Sequence, residues 1–371
     1  MDQERAIISF LRAAGRAGLL AGLIATTLAV TDGARSPALA STKRCFGAVP
    51  TIRGTAGNDQ IDGTDGPDVI VGGGGNDVLR GGGGNDRICG GRGSDSILGE
   101  DGNDRLGTGR GTRRGGRNIA IGGAGDDTLV GGPANDQFSG DAGDDVMRGR
   151  GGPDLFYGEA GTNRIDGGPG GDLIQYFGAK RAVKVDLERG RATAKGRDFL
   201  SEIENVTADG PAILIGNDDP NLLVGGNGVD RVVGKGGADC LSGGDGDNVV
   251  RGGPGVDAFT AYGYDQCADP GPGGGTPVIN SGMVIDLEAG EAEHSGSITE
   301  LHSIEDVYGS REEDQIYGDA GTNVLHGGGA ADEIHGRAGN DRLDGGSGAD
   351  TLDGGEGTDS CSNGEAVVSC E

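Results

Sequence analysis

Large apolar residues recur along this chain at intervals of nine, each flanked by polar or small residues. The series is Ile61, Ile70, Leu79, Ile88, Ile97, Leu106, Leu129, Phe138, Met147, Phe156, Ile165, Ile174, Leu223, Val232, Leu241, Val250, Phe259, Ile316, Leu325, Ile334, Leu343 and Leu352. Side chains alternate between the two faces of a strand, so a three-residue strand with a central apolar residue buries only that residue. The pattern predicts short strands that each give one side chain to a thin core.

A glycine-rich turn precedes each of these strands, as in Gly72-Gly73-Gly74-Gly75-Asn76-Asp77-Val78-Leu79. Two consecutive units of nine would form one coil with a strand on each side. Coils stacked in register would pair parallel strands about 4.8 Å apart. The predicted fold class is therefore all-β, a parallel β-roll (a β-solenoid), with almost no helix after Ala40.

An acidic residue stands two positions before the apolar one, at the sixth place of the unit. It is Asp at Asp59, Asp68, Asp77, Asp86, Asp95, Asp104, Asp127, Asp136, Asp145, Asp154, Asp172, Asp230, Asp239, Asp257, Asp314, Asp332, Asp341, Asp350 and Asp359. In phase with these, Asn takes the place at Asn118, Asn163, Asn221, Asn248 and Asn323.

Glycines at the first, second and fourth places allow positive φ, so the turn can be tight and can point several carbonyl oxygens to one side. The sixth-place Asp adds a carboxylate. A cage of carbonyl and carboxylate oxygens is the ligand set that Ca²⁺ prefers. We therefore expect multiple calcium ions, with the Asp series as metal ligands and with the Asn positions as weaker or empty sites.

The unit Gly-Gly-x-Gly-x-Asp-x-(apolar)-x resembles the nonapeptide of the RTX (hemolysin-type) calcium-binding repeat proteins, over most of residues 54–371. The resemblance implies a calcium ion between glycine turns on the same side of adjacent coils. Strand-rich linkers join successive rolls in many members of this family.

Two interruptions of the repeat resemble each other: Val185-Asp186-Leu187-Glu188 corresponds to Ile285-Asp286-Leu287-Glu288, and Ile203-Glu204-Asn205-Val206 to Ile304-Glu305-Asp306-Val307. They predict β inserts. The expected organisation is a signal peptide at 1–40, an N-terminal cap at 41–53, a first roll at 54–175, an insert at 176–215, a second roll at 216–260, an insert at 261–308, and a third roll with a disulfide-closed cap at 309–371.

The N-terminus has Arg5, Arg12 and Arg16 before an apolar run, Gly18–Val30, followed by Ala38-Leu39-Ala40. This is the pattern of a secretory signal peptide cut after Ala40. The alternative is a membrane anchor, for which the run is short. We expect an extracellular protein with no membrane span in the mature chain. Many RTX proteins instead leave through an exporter that reads a C-terminal signal, so toxin and protease roles are disfavoured.

Six cysteines fit an oxidising compartment. Proximity suggests the pairs Cys45–Cys89, Cys240–Cys267 and Cys361–Cys370, while spacing alone leaves the other pairings open. Reactive thiols are the alternative, but no cluster of His or Lys lies near them in the sequence.

The net charge of −28 disfavours nucleic acid and anionic membrane surfaces as partners. Arg110, Arg113, Arg114 and Arg117 could form an anion site, although a solvated loop is the simpler interpretation.

The sequence contains no His-Glu-x-x-His and no Gly-x-Ser-x-Gly motif. Carboxylate pairs such as Asp144-Asp145 resemble a glycosidase dyad, but the repeats do not supply the cleft that a dyad requires. We expect no catalytic residues and no enzyme, but a secreted calcium-binding structural module. Two alternatives stay open: an adhesin or matrix protein that binds polysaccharide or cells, and a hydrolase with its site in the inserts.

Overall fold

The computed structural model describes residues 44–110, 116–179, 181–261 and 282–370. These residues form strands and turns, with no helix among them. In this part of the chain there is consequently no helix long and apolar enough to cross a membrane. Nearly all strands belong to two large sheets, which we call sheet 1 and sheet 2.

Sheet 1 has 20 strands and sheet 2 has 15. Sheet 1 contains β1 (Ile52–Arg53), β3 (Val69–Gly74), β5 (Arg87–Arg92), β7 (Arg105–Arg110), β9 (Thr128–Val130), β11 (Val146–Arg148), β13 (Thr162–Asp166), β15 (Val183–Asp186), β16 (Arg191–Thr193), β17 (Arg197–Ser201), β19 (Ala212–Ile215), β21 (Arg231–Val233), β23 (Asn248–Arg251), β25 (Val284–Asp286), β26 (Glu291–His294), β27 (Ser297–His302), β29 (Gln315–Tyr317), β31 (Glu333–His335), β34 (Thr351–Asp353) and β37 (Ala366–Val368). Sheet 2 contains β2 (Gln60–Asp62), β4 (Val78–Gly83), β6 (Ser96–Asp101), β8 (Asn118–Ala124), β10 (Asp136–Ala142), β12 (Leu155–Tyr157), β14 (Leu173–Tyr176), β18 (Asn205–Ala208), β20 (Leu222–Val224), β22 (Cys240–Ser242), β24 (Ala258–Thr260), β28 (Asp306–Tyr308), β30 (Val324–Gly329), β33 (Arg342–Ser347) and β36 (Ser360–Ser362). A separate pair consists of β32 (Ala338–Gly339) and β35 (Glu356–Gly357).

Parallel pairing between strands of successive coils builds both sheets. In sheet 1, Ile70 lies beside Ile88, which is one coil further along the chain. In sheet 2, Leu79 lies beside Ile97. The coil of two nine-residue units is therefore confirmed, and so is the parallel β-solenoid.

The apolar series forms the core between the two sheets. A single cluster of buried side chains extends from Ile70 to Leu352, and both of these residues are 0% exposed. Because each short strand buries its central residue, the core is long and narrow.

The two interruptions are β meanders of the same design. In the first, β16 pairs antiparallel with both β15 and β17. The outer strands then return to parallel pairing, β17 with β13 and β15 with β19. The second meander, β25–β27, repeats this arrangement between β23 and β29. Both meanders lie within sheet 1 and contribute to the continuous core, while the residue boundaries given above for the rolls stay a prediction.

Disulfides close both ends of the solenoid. Cys45 is bonded to Cys89, which ties the N-terminal segment to β5, and Cys361 is bonded to Cys370 after the last coil. These two predicted pairs are confirmed. The third predicted pair involves Cys267, which lies outside the described residues.

Candidate calcium sites

The sixth-place Asp residues lie at the ends of the glycine turns, directly before the strands. All of them are buried, with exposed fractions of 8% or less, except the half-buried Asp59 in the first coil. A carboxylate that loses its water needs other partners for its oxygens. Each oxygen of these side chains has a separate environment.

One oxygen, Oδ1, accepts a hydrogen bond from the backbone of the preceding coil. Asp77 Oδ1 accepts from the N–H of Asp59 at 2.9 Å, and Asp95 Oδ1 from the N–H of Asp77 at 3.0 Å. The same bond recurs along the stack. The side chains thus form a ladder that links each turn to the one before it.

The other oxygen, Oδ2, is buried without a hydrogen-bond partner in fifteen of the nineteen residues. These are Asp77, Asp86, Asp95, Asp104, Asp127, Asp145, Asp154, Asp172, Asp230, Asp239, Asp257, Asp332, Asp341, Asp350 and Asp359. Native proteins rarely leave a buried polar atom unpaired without a functional reason, such as an ion. These oxygens form a periodic set that requires a positive partner.

Main-chain oxygens lie next to these carboxylates. A Cβ at Gly72 would clash with Asp77 Oδ2 and would lie 2.7 Å from the carbonyl oxygen of Gly90 in the next coil. Only glycine leaves this space open. Among the residues that the structure describes, no three His, Cys, Asp or Glu side chains converge, at these turns or elsewhere. An ion here would thus draw most of its ligands from carbonyls, which suits Ca²⁺.

Burial raises the pKa of most of these carboxyl groups. It raises the pKa of Asp104 to about 6, with a further contribution from the charge of Asp86 in the coil before. The pKa of Asp127 rises to about 8 and that of Asp154 to about 9, also mainly through burial. The stacked carboxylates are therefore unfavourable in their charged form when no cation balances them.

Four Asp residues of the series differ because their own turn satisfies Oδ2. Asp59, Asp68, Asp136 and Asp314 each accept a hydrogen bond there from the N–H of the second-place residue. Burial alone would raise the pKa of Asp68, but hydrogen bonds from Thr64 and Thr51 hold it below its usual value. We call these turns capped, and the fifteen others open.

The backbone conformation of the second-place residue separates the two kinds of turn. In fourteen of the fifteen open turns this residue has positive φ, as at Gly73 and even at Glu100 and Arg150. Asp230 is the exception: φ at Gly226 is not positive, and the N–H of Gly226 acts on the carboxyl group of Asp230 as in the capped turns, lowering a pKa that burial raises more strongly. In capped turns such as that of Thr64, φ is not positive and the N–H points at the carboxylate. The sequence did not reveal this distinction, although Thr or Ser in place of the second glycine marks three of the four capped turns.

The sixth-place Asn residues make hydrogen bonds with both ends of the amide. Asn118 accepts from the N–H of Asp95 and donates to Asp136 Oδ1. Asn323 accepts from the N–H of Asp319 and donates to the carbonyl of Glu305. Because both ends of each amide are hydrogen-bonded and the side chain is uncharged, no cation is required to balance it. That these positions are weaker or empty calcium sites stays a prediction.

Three glutamates complete the ladder where the repeat is interrupted. Glu204, Glu305 and Glu365 accept from the N–H groups of Asp172, Asp257 and Asp350, with N–O distances of 2.8, 2.8 and 2.6 Å. Sequence reasoning matched the first two to each other but gave neither this role, and it missed Glu365. The shared Glu-x-Val spacing, repeated at Glu365-Ala366-Val367, was the available signal.

Comparison with protein families identifies the repeat. The model of the RTX calcium-binding nonapeptide repeat matches residues 53–88, 80–113, 114–147, 139–174, 208–240, 224–259, 304–334 and 326–361. These matches cover more than half of the chain. The chain belongs to the RTX calcium-binding nonapeptide repeat family. No match was found among curated proteins.

This RTX chain fits calcium at its open turns. Membership of the family supports calcium binding by the repeats, and the unpaired Oδ2 atoms lie beside glycine carbonyls where a cation would balance them. Bound there, Ca²⁺ would supply the positive charge that the stacked carboxylates lack. That each named Asp is a ligand stays a prediction.

Proposed function

We propose that this RTX protein is a secreted calcium-binding module that folds after export, when it moves from low to high calcium, and that it serves outside the cell as a structural element without a catalytic site. The observation that supports this proposal is the set of fifteen buried, unpaired carboxylate oxygens. A chain that buries so many unpaired carboxyl oxygens is poorly stable without a cation. Its disulfides suit an oxidising compartment.

Two measurements test this function. Residues 1–40 lie outside the described part of the chain, so export is tested by recovering the protein from the medium and sequencing its N-terminus, which we expect to begin at Ser41. Retention of the uncleaved chain in the membrane would contradict secretion. Circular dichroism during a calcium titration tests folding, and a full β spectrum in chelator would contradict calcium-dependent folding.

The absence of catalysis needs its own screen. We expect the calcium-loaded protein to turn over no peptides, esters or acidic polysaccharides, because the described part of each insert mainly adds a three-stranded meander to sheet 1. Turnover that disappears in Glu204→Gln or Glu305→Gln would place an active site in the inserts instead. Loss of stability without any turnover in the parent protein agrees with the ladder role of these glutamates.

A groove near the N-terminus favours the second candidate function, polysaccharide binding. It has a volume of about 560 Å³ and crosses four successive coils of sheet 1, over a floor that includes Gly91, Gly107 and Gly131. The Phe46 ring lies against Gly107, where a Cβ would be 3.1 Å from the ring edge. The exposed Arg110 and Arg150 also line it, on a chain whose net charge is −28.

An aromatic wall with arginines suits an acidic sugar chain, which can stack on the ring and pair its carboxylates with guanidinium groups. Calorimetry with polygalacturonate at constant calcium tests this, with a neutral glucan as control. We expect Phe46→Ala and Arg110→Glu to remove binding, and the exposed Phe199→Ala on another part of sheet 1 to keep it. Equal binding by all variants would assign the affinity to calcium bridging and reject the groove.

A further inference from the structure

One buried carboxylate outside the repeat series has both of its oxygens satisfied. Asp198, in β17, is 1% exposed and lies in register beside Asn163, so it occupies the sixth place of its coil. Its Oδ1 accepts from Asn163 Nδ2 at 2.9 Å, and its Oδ2 accepts from the Tyr176 hydroxyl at 2.8 Å. This coil therefore differs from the open turns, in which Oδ2 has no partner.

Tyr176 stands where the repeat has its first-place glycine. Tyr157 pairs with Gln175, which places Tyr176 beside the first-place Gly158 of the preceding coil. A Cβ at Gly158 would clash with the ring of Tyr176, whereas in an open turn a Cβ at Gly72 would clash with Asp77 Oδ2. The aromatic ring, 1% exposed, thus fills the space beside the glycine that a carboxylate oxygen and a carbonyl share elsewhere.

The second insert provides an internal comparison. There Asn248 lies beside Thr299, and the position equivalent to Tyr176 is Ala261. Asn248 Nδ2 is 3.4 Å from Thr299 Oγ1. At these two described positions the second insert has neither the carboxylate nor the phenol. The first insert has Tyr176 and Asp198 together at the same two positions.

We propose that the coil of Tyr176 and Asp198 holds no calcium, and that the phenol replaces the ion. The hydroxyl proton gives Asp198 Oδ2 the partner that a cation would give it in an open turn, and the ring occupies the space. Burial raises the pKa of Tyr176 well above its usual value, so this proton is retained at neutral pH. The first insert then forms a calcium-independent junction between two calcium-dependent stretches.

Substitution of the hydroxyl tests this inference in the full chain. Tyr176→Phe keeps the ring and leaves Asp198 Oδ2 unpaired. We expect its urea midpoint to fall by the same amount at low and at high calcium, because no ion is involved. Tyr317→Phe is the matched control, since Tyr317 is only partly buried and its hydroxyl is 3.5 Å from Gln315 Oε1, and we expect no change. A deficit that grows with calcium would place the hydroxyl in a calcium site and overturn the proposal.

The bound calcium per chain gives a second measurement that does not depend on the stability of Tyr176→Phe. Asp198→Asn removes the charge, and we expect the calcium content found by atomic emission to equal that of the parent protein. Asp104→Asn, in an open turn, should lower the content. A lower content in Asp198→Asn would show that its carboxylate binds an ion. If neither variant lowered the content, the open-turn sites would be wrong, while the phenol bond at Asp198 would be unaffected.

Discussion

Replacing Asp104 by Asn is the most direct test of the buried carboxylates as calcium ligands. Asp104 lies in the first run of coils, its Oδ1 accepts from the N–H of Asp86 at 2.8 Å, and its Oδ2 is unpaired. Asn has the same shape and keeps the acceptor, but it removes the charge. The variant should therefore respond in opposite directions with and without calcium.

The structure sets the size of both effects. Burial raises the pKa of Asp104 from 3.8 to about 6, and each pKa unit corresponds to about 1.4 kcal/mol, so removing the charge should stabilise the ion-free protein by about 1 to 3 kcal/mol near neutral pH. A site with a dissociation constant of about 10⁻⁴ to 10⁻³ M gains roughly 1.4 to 2.7 kcal/mol at about 10 mM calcium. We expect the variant to lose that increment for each site it loses.

Urea unfolding followed by circular dichroism measures both the stabilisation of the ion-free protein and the loss of the calcium increment. The unfolding curves are recorded in chelator and in about 10 mM calcium, with an osmolyte in both so that the folded state is populated without the ion. The control is Asp68→Asn, in a capped turn, where the amide oxygen can keep the bond from the N–H of Thr64, as Asn323 does with the N–H of Asp319. It should change stability by about 1 kcal/mol or less in both solutions and keep its calcium increment. The same response from both variants would refute the distinction between open and capped turns.

Three further predictions follow from the fold and its charges. Calcium should induce β structure cooperatively and equal magnesium should not, because Mg²⁺ requires a tight octahedron; circular dichroism with either ion checks this. Burial raises the pKa of Asp172 to about 7 in the ion-free fold, against about 3.9 unfolded. Ion-free stability should therefore be greatest below about pH 4 and fall as pH rises towards 7, while calcium-loaded stability should fall as pH is lowered. Thermal unfolding across this range tests both signs. Removing the Cys45–Cys89 disulfide, which spans 44 residues, should lower the free energy of unfolding by about 4 kcal/mol, and removing Cys361–Cys370, which spans 9, by about 3 kcal/mol. Urea titrations of the two Cys→Ser double variants measure these losses, and a larger loss for the shorter loop would contradict the prediction.

The nine-residue period was sufficient to predict the solenoid. Residues such as Ile70 and Leu79 repeat with the period of the coil, so their burial and their parallel register follow from spacing alone. The same spacing placed the sixth-place Asp side chains together at the turns. Local periodicity is visible in a sequence, because each unit contributes to the fold in the same way.

Hydrogen bonds that depend on the local backbone conformation of one turn or insert could not be predicted from the sequence. Whether Oδ2 of an Asp is capped depends on φ at the second place, and Glu100 and Arg150 adopt positive φ there although neither is glycine. The bond between Tyr176 and Asp198 joins residues whose spacing matches no repeat, because a meander lies between them. Such contacts depend on how the strands of an insert pair with the neighbouring coils, and the nine-residue period does not predict that pairing.

The carboxylate ladder gives the solenoid a direction. After the first coil, each Asp accepts a bond from the coil before it, so a coil is completed only when its successor has folded. At the start of one ladder the position before Asp68 is Pro50, which has no N–H to satisfy, and at the other end Glu365 accepts from Asp350. Growth from the N-terminal end would leave the N–H donors of the newest coil unpaired at every stage, and the next coil would pair them. A chain cut short at its C-terminal end would leave backbone donors of its last coil unpaired, whereas one trimmed at its N-terminal end would leave carboxylate acceptors of its first coil unpaired.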